Sequence, residues 1–234
     1  ASFKATGHRV SHKIDWGGAA TLSIALASVT LLTSLGGRNF NWMSGEAFGL
    51  GALTIAAVVA FIAIERRAAE PIIPLGLFKM NVFWVTTMIG LIMGAAMFGA
   101  IAFMPLYLQI AQGTTPTVSG LLLIPMTVGI VMSSVISGRT MSKTGKYRIL
   151  ALCGTLFLAL GMVFLSRLKA DTPLWQFCLM LGTVGFGLGF IFPMVTASVQ
   201  NAVPRDKLGT ATAAGIMFRQ IGGSLGVALF GTIF

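Results

Sequence analysis

Between Asn81 and Gly138 the chain holds no Asp, Glu, Lys or Arg, and its 234 residues include six acids, two cysteines and two histidines. Each scarcity excludes something. With 56% hydrophobic and 9% charged residues, the composition is that of a chain dissolved in a bilayer, not of a water-soluble domain. Cys153 and Cys178 fall within apolar runs, so they read as small packing side chains rather than a disulfide framework or reactive thiols. His8 and His12 stand four apart, but no carboxylate or cysteine lies beside them; a solvated linker is expected there, with no metal site and no cofactor. An intramembrane enzyme needs a converging nucleophile, base or metal ligands. The apolar runs supply none, and no catalytic residue is assigned.

What the chain does have is seven apolar stretches, over roughly 17–35, 46–64, 82–108, 118–138, 149–167, 174–202 and 208–234. A helix of about 20 residues crosses a hydrocarbon core of ~30 Å. The charge-free run from Asn81 to Gly138 is therefore too long for one span, and Gln109, Gln112, Gly113, Thr114, Thr115 and Pro116 break it into two helices and a turn. In lipid only helices or closed barrels satisfy the backbone, and these runs lack the period-two alternation of barrel strands. The fold class is all-α: a polytopic membrane helix bundle of about seven transmembrane helices.

Basic residues crowd alternate gaps. Lys4, Arg9 and Lys13, then Arg66, Arg67 and Lys79, then Arg139, Lys143, Lys146 and Arg148, then Arg205 and Lys207 fall on one side, against Arg38, Arg167 and Lys169 on the other. Lysine and arginine are retained in the cytoplasm during insertion, so the first side, with the N-terminus, is expected there. The net charge of +10 is thereby topology, and nucleic-acid binding, which wants a basic patch interleaved with stacking aromatics on a soluble domain, is not expected. Trp16, Trp42, Trp84 and Trp175 fall near helix starts, as an interfacial belt requires. Ala1 to Lys13 is polar and basic with no apolar core, which reads as a cytosolic linker rather than a signal peptide. The absence of an initial Met and the apolar finish at Phe234 read as a piece of something larger.

Four features inside the runs carry mechanism. Gly185 and Gly189, Gly222 and Gly226, and Gly90 and Gly94 are spaced by four, which bares one helix face for close approach of a neighbouring backbone; the same face serves static packing or shear during alternating access. Gly185, Gly187 and Gly189 do not make a dinucleotide fingerprint, because the third falls one residue early and no strand precedes them. Pro105, Pro125 and Pro193 are expected to kink the third, fourth and sixth spans. Arg219 lies near the middle of the last span, where a cation costs at least ~2.5 to 3.5 kcal/mol and usually faces the bundle interior or a water-filled path. No acid lies inside any span to pair with it, so its partner is either elsewhere or a set of helix-end carbonyls; Gln220 is a further polar candidate.

Several stretches together resemble the 14-helix drug:proton antiporter branch of the major facilitator superfamily. They are Ile14-Asp15-Trp16-Gly17-Gly18; Arg66, Arg67, Glu70, Pro71 and Pro74-Leu75 through Phe78; Ser119-Gly120-Leu121 with Pro125; and Arg219-Gln220 with Ile221-Gly222-Gly223-Ser224-Leu225-Gly226. The resemblance implies a cytoplasmic linker over 1–16, two additional linking helices with their loop over 17–79, and five helices of an incomplete C-terminal bundle over 80–234. It also implies a plasma-membrane exporter, in the bacterial inner membrane, whose partners are small hydrophobic or cationic substrates, protons, the lipid bilayer and an opposing N-terminal bundle that carries the coupling acids. Gly138, Lys143, Gly145, Lys146 and Arg148 resemble the superfamily's cytoplasmic gate motif, except that Ser142 stands where the acid belongs. Met88, Met93, Met97, Phe98, Phe103, Met126, Phe186, Phe190, Phe192, Met194 and Met217 are the apolar candidates for a cavity wall, of which about a third are expected to line it. A narrow-substrate metabolite or siderophore exporter and a non-transporting membrane scaffold remain open alternatives.

Overall fold

The structure, a computed structural model, describes residues 15–36, 39–68, 71–145 and 148–233. The histidine pair, the first basic cluster, Arg38, Glu70 and Lys146 lie outside these. Among the described residues there are eight α-helices: α1 (Trp16–Leu35), α2 (Gly45–Glu65), α3 (Asn81–Gln112), α4 (Pro116–Leu121), α5 (Ile124–Thr144), α6 (Arg148–Leu165), α7 (Leu174–Ala202) and α8 (Leu208–Ile233). With α4 and α5 taken as one span, Pro116–Thr144, seven are long and apolar enough to cross a membrane. The local reasons are ordinary ones. Asp15 caps α1 by accepting from the Gly18 amide at 2.8 Å, and Ser44 caps α2 through the Ala47 amide at 3.2 Å. The four tryptophans are exposed at or beside helix starts, where the expected belt put them.

Three expectations need correction. Span three runs to Gln112, not 108: Gln109 and Gln112 do not break the helix but reach from its last turns, Gln109 donating to Ser119 Oγ at 2.9 Å and Gln112 to the Thr172 carbonyl at 2.8 Å. The helix stops where Gly113 takes φ 64°, a left-handed conformation. Pro125 does not kink a continuous helix. The chain turns at Leu122 and Leu123, and Pro125 sits in the first turn of α5, where its missing N–H costs nothing. The gap expected between the fourth span, 118–138, and the fifth, 149–167, is partly helix, since α5 continues to Thr144 and is closed by Gly145 at φ 65°, whose amide donates to the Met141 carbonyl at 2.9 Å. Pro105 and Pro193 do lie inside α3 and α7.

Packing builds outward from α7. It takes α5 and α6 along its length and meets α3, which in turn packs along α8. The α1–α2 hairpin, joined internally by a 2.9 Å hydrogen bond from Thr54 Oγ1 to Ser28 Oγ, attaches through α1 to α8. One apolar cluster joins α3, α5 and α7 through Met93, Leu108, Met126, Leu181 and Leu188. A second, with Phe61, Ile73, Leu77, Phe83, Val199 and Ala214, gathers the ends of α2, α3, α7 and α8.

Glycine faces set the distances. A Cβ on Gly185 would fall on the Met126 carbonyl of α5, and one on Gly222 on the Leu91 carbonyl of α3. The α5–α7 contact has a polar component as well. Pro193 has no N–H to offer the carbonyl four residues earlier, Gly189, and Ser134 of α5 donates to that oxygen at 3.0 Å; Ser137 reaches the next carbonyl, Phe190, at 3.2 Å. A proline inside a membrane helix is tolerated when a neighbouring hydroxyl re-satisfies the freed group.

Substitution of Ser134 by alanine is expected to destabilise by about 0.6 to 1.7 kcal/mol, the range of interhelical hydrogen bonds in membranes. Gly185→Leu drives a side chain into backbone and costs more, whereas Gly138→Ala, whose Cβ meets open space, is close to neutral. Thermal melting of the detergent-purified protein ranks the three.

Candidate functional site

Arg219 stands in the middle of α8 and lines a cavity of about 280 Å³ between α3, α7 and α8, with Gly90 and Met93 from α3, Phe192 and Val195 from α7, and Gly215 from α8. Its position follows from the packing. Gly222 packs on Leu91 of α3, a Cβ on Gly90 would lie 3.7 Å from the Gly215 carbonyl, and a Cβ on Gly94 would fall on the Arg219 carbonyl itself. With its backbone pressed on α3, the half-buried side chain turns along α3 and α7 rather than into lipid.

The guanidinium carbon lies 5.1 Å from the centroid of the Phe192 ring. This is a cation–π contact, worth about 0.5 to 2 kcal/mol according to how much water is excluded. The sequence suggested an acid elsewhere or helix-end carbonyls as partner; among the described residues the Phe192 ring is in contact. Phe192 immediately precedes Pro193, so the α7 segment loosened by the proline is the one that presents the ring.

The other candidates disperse. Gln220, next in sequence, is exposed and lines no part of this cavity. Of the apolar wall candidates, Met93 and Phe192 line it; Met194 lines a separate recess with Asn81 and Asn201, and Met217 another beside the hairpin. Phe186 and Phe190 are engaged with Phe157 of α6 at centroid distances of 5.3 and 6.3 Å, Met126 is buried in the core, and Phe98 packs over Gly223. Lys143 and Arg148 are exposed at the end of α5 and the start of α6, flanking the Gly145 turn, and Gly138 faces open space. The glycine pairs sort by partner: Gly185 and Gly189 against α5, Gly222 and Gly226 against α3.

Glu65 was missed as anything but a helix end. It is 4% exposed, and its Oε1 accepts from the amides of Ile72 and Ile73 at 3.0 and 3.2 Å. The carboxylate thus folds the segment after α2 back onto the helix end and seats Ile73 and Leu77 in the second cluster. A signal was present: an acid closing an apolar helix, followed by two arginines and a proline-bounded segment whose amides lack helical partners.

Apolar helices packed on glycine faces, with a cation turned into a cavity between three of them, define a multi-pass helical membrane protein built like a transporter. Residues 16–227 match the Major Facilitator Superfamily, and the chain belongs to that family. It is similar to the multidrug transporter protein MdtP of Bacillus subtilis, at 34% identity over 94% of this chain and 40% of that protein. It is similar also to a tetracycline resistance determinant of Streptomyces rimosus, at 36% identity over 93% of this chain and 63% of that one, and to multidrug resistance protein 3 of Bacillus subtilis, at 33% over 97% and 44%. The chain therefore spans less than two thirds of each of these relatives.

Glu65→Ala strands two amides and is expected to lower stability by about 1 to 3 kcal/mol for each that water does not reach. Glu65→Gln, which keeps the accepting oxygen, is expected to retain most of it. Limited proteolysis between Arg66 and Pro74, read beside the melting temperature, separates a released segment from a general loss of fold.

Proposed function

We propose that this chain is part of a secondary active transporter that exports hydrophobic or cationic drugs by proton antiport and alternating access. The observation that carries the proposal is Arg219, a mid-helix cation in a cavity walled by Met93 and Phe192 where α3, α7 and α8 meet. The names of the relatives, multidrug and tetracycline resistance proteins, support the substrate class. An anchoring scaffold has no use for a cation held at that depth against an aromatic ring.

In this reading residues 17–79 are the linking pair of helices, 80–234 belong to the C-terminal bundle, 1–16 form a cytoplasmic linker, and the rest of the protein supplies the opposing bundle. The N-terminus is cytoplasmic and the membrane is the bacterial inner membrane. Proton antiport needs an acid that cycles between protonated and ionised forms while a cationic drug competes for the ionised one. Arg219 cannot be that group, since a guanidinium is always charged. Its part is to exchange partners: Phe192 in the arrangement described here, and a carboxylate of the opposing bundle when the bundles rock. The glycine faces of α7 and α8 are the surfaces along which small displacements occur, and Lys143, Gly145, Lys146 and Arg148 mark the cytoplasmic gate.

Cells producing the full-length protein are expected to extrude a fluorescent lipophilic cation above vector background, and a protonophore is expected to abolish it. No extrusion, with the protein demonstrated in the membrane, would shift the reading to a narrow-substrate exporter. Residues 1–234 reconstituted alone are expected not to transport. Loss of a contact of about 0.5 to 2 kcal/mol changes an equilibrium about two- to thirtyfold; Arg219→Ala is expected to slow efflux by a factor in or above that range, and by more than Lys143→Ala. Wild-type rates in both variants would remove Arg219 from the mechanism.

A further inference from the structure

A cavity larger than the one at Arg219 is present among the described residues. It lies outside the bundle proper, between the α1–α2 hairpin and α8, and encloses about 830 Å³. Its walls are apolar: Leu22 and Leu26 of α1, Val58 and Phe61 of α2, and Met217 and Ile221 of α8 are representative. The single uncharged polar side chain in the lining, Thr54, is already satisfied by Ser28 Oγ at 2.9 Å and the Leu50 carbonyl at 2.8 Å. Two cations complete the lining, Arg66 and Lys79.

Both cations stand at one end. Arg66 caps the C-terminus of α2, and Lys79 closes the 3₁₀ turn Leu75–Lys79. They are thirteen positions apart in sequence, and the Glu65 clamp on Ile72 and Ile73 folds the intervening segment back so that both border the same cavity. From Thr54 to Arg66 the cavity follows twelve residues of α2, about 18 Å at the helical rise. That is close to the ~15 Å depth of one leaflet.

We propose that this groove is a binding site for an anionic phospholipid of the cytoplasmic leaflet. One acyl chain lies along the α1–α2–α8 walls, and the phosphate with its anionic headgroup sits between Arg66 and Lys79. The lysine and arginine distribution along the chain places this end of α2 in the cytoplasm, the side whose leaflet carries negative surface charge. Any outward groove in a membrane protein fills with hydrocarbon. What distinguishes this one is two cations at headgroup depth with no described carboxylate in the lining; Glu65, nearest in sequence, holds the Ile72 and Ile73 amides with one oxygen, and its other oxygen is buried. Because the hairpin meets the bundle through α1 and the cluster at its cytoplasmic end, a lipid here fills the gap between hairpin and α8 and ties them together. The proposal rests on the membrane placement and its orientation, not on the export reading, and drug export could fail its test with this site intact.

The test is native mass spectrometry of the full-length protein, delipidated in mild detergent and titrated with phosphatidylglycerol or phosphatidylcholine of identical chains. Two basic residues near the headgroup are expected to favour the anionic lipid by about thirtyfold. Arg66→Gln combined with Lys79→Gln is expected to reduce that preference to within about twofold, and Lys207→Gln to leave it unchanged. Val58→Trp, which fills the groove and keeps both charges, is expected to lose the retained lipid, so the proposal stays testable if the double variant folds poorly. Equal retention of the two lipids by the wild type, or an unchanged preference in the double variant, would overturn it. Displacement of the bound lipid by free glycerol phosphate would reassign the two cations to a soluble anion and overturn it as well.

Discussion

The packing of this molecule hangs on how closely α7 can approach α5. Gly185 and Gly189 present no side chain, so the helices meet backbone to backbone, and Pro193 leaves the Gly189 carbonyl without its helical donor where Ser134 can reach it. In water such an arrangement would be one contact among many. In lipid, where hydrocarbon outside the bundle is as apolar as the side chains within, burying leucine gains little, and association depends on close van der Waals contact and on polar groups that must find each other. The α5–α7 seam supplies both. The same solution recurs between α3 and α8 at Gly94, Gly222 and Gly226, without the proline.

That geometry places Arg219. Because Gly94 and Gly222 bring α8 against α3, the arginine between them in the contact presses its backbone on α3 and directs its side chain to the space that α7 borders. The Phe192 face then offers the cation a partner that neither demands a second charge nor fixes it as tightly as a carboxylate. In the proposed transport cycle that looser hold lets the half-buried guanidinium exchange partners. The α1–α2 hairpin stands apart from this site, pinned at the C-terminal end of α2 by Glu65 and the surrounding apolar cluster, with an open groove beside it.

Part of the candidate site was legible, and what was not has identifiable causes. The choice of Arg219 as a candidate followed from the cost of a charge at mid-span, which holds in any fold. Its partner did not follow, because aromatic residues are frequent in these helices and nothing in the sequence marks Phe192 apart from Phe186 or Phe190. Gln109 and Gln112 were read as breaking polarity because composition cannot show a side chain reaching to Ser119 or to the Thr172 carbonyl. Pro125 was read as a kink because proline interrupts a helix equally well by bending it or by starting a new one, and only the turn at Leu122 and Leu123 decides between these.

The amino-acid sequence by itself determined the class of the molecule: how many helices cross, where tryptophans mark their starts, and which faces are bare. These depend on the transfer free energy of each segment and on the local chemistry of glycine, proline and capping side chains, all of which act within a few residues. Tertiary structure alone decided which bare face meets which helix, that Ser134 answers the carbonyl freed by Pro193, that Arg219 rests on Phe192, and that Arg66 and Lys79 share one cavity. Those pairings join residues as far apart as Leu91 and Gly222, and no local preference encodes them; they exist because seven helices had to bury their polar groups among themselves in a solvent that offers none.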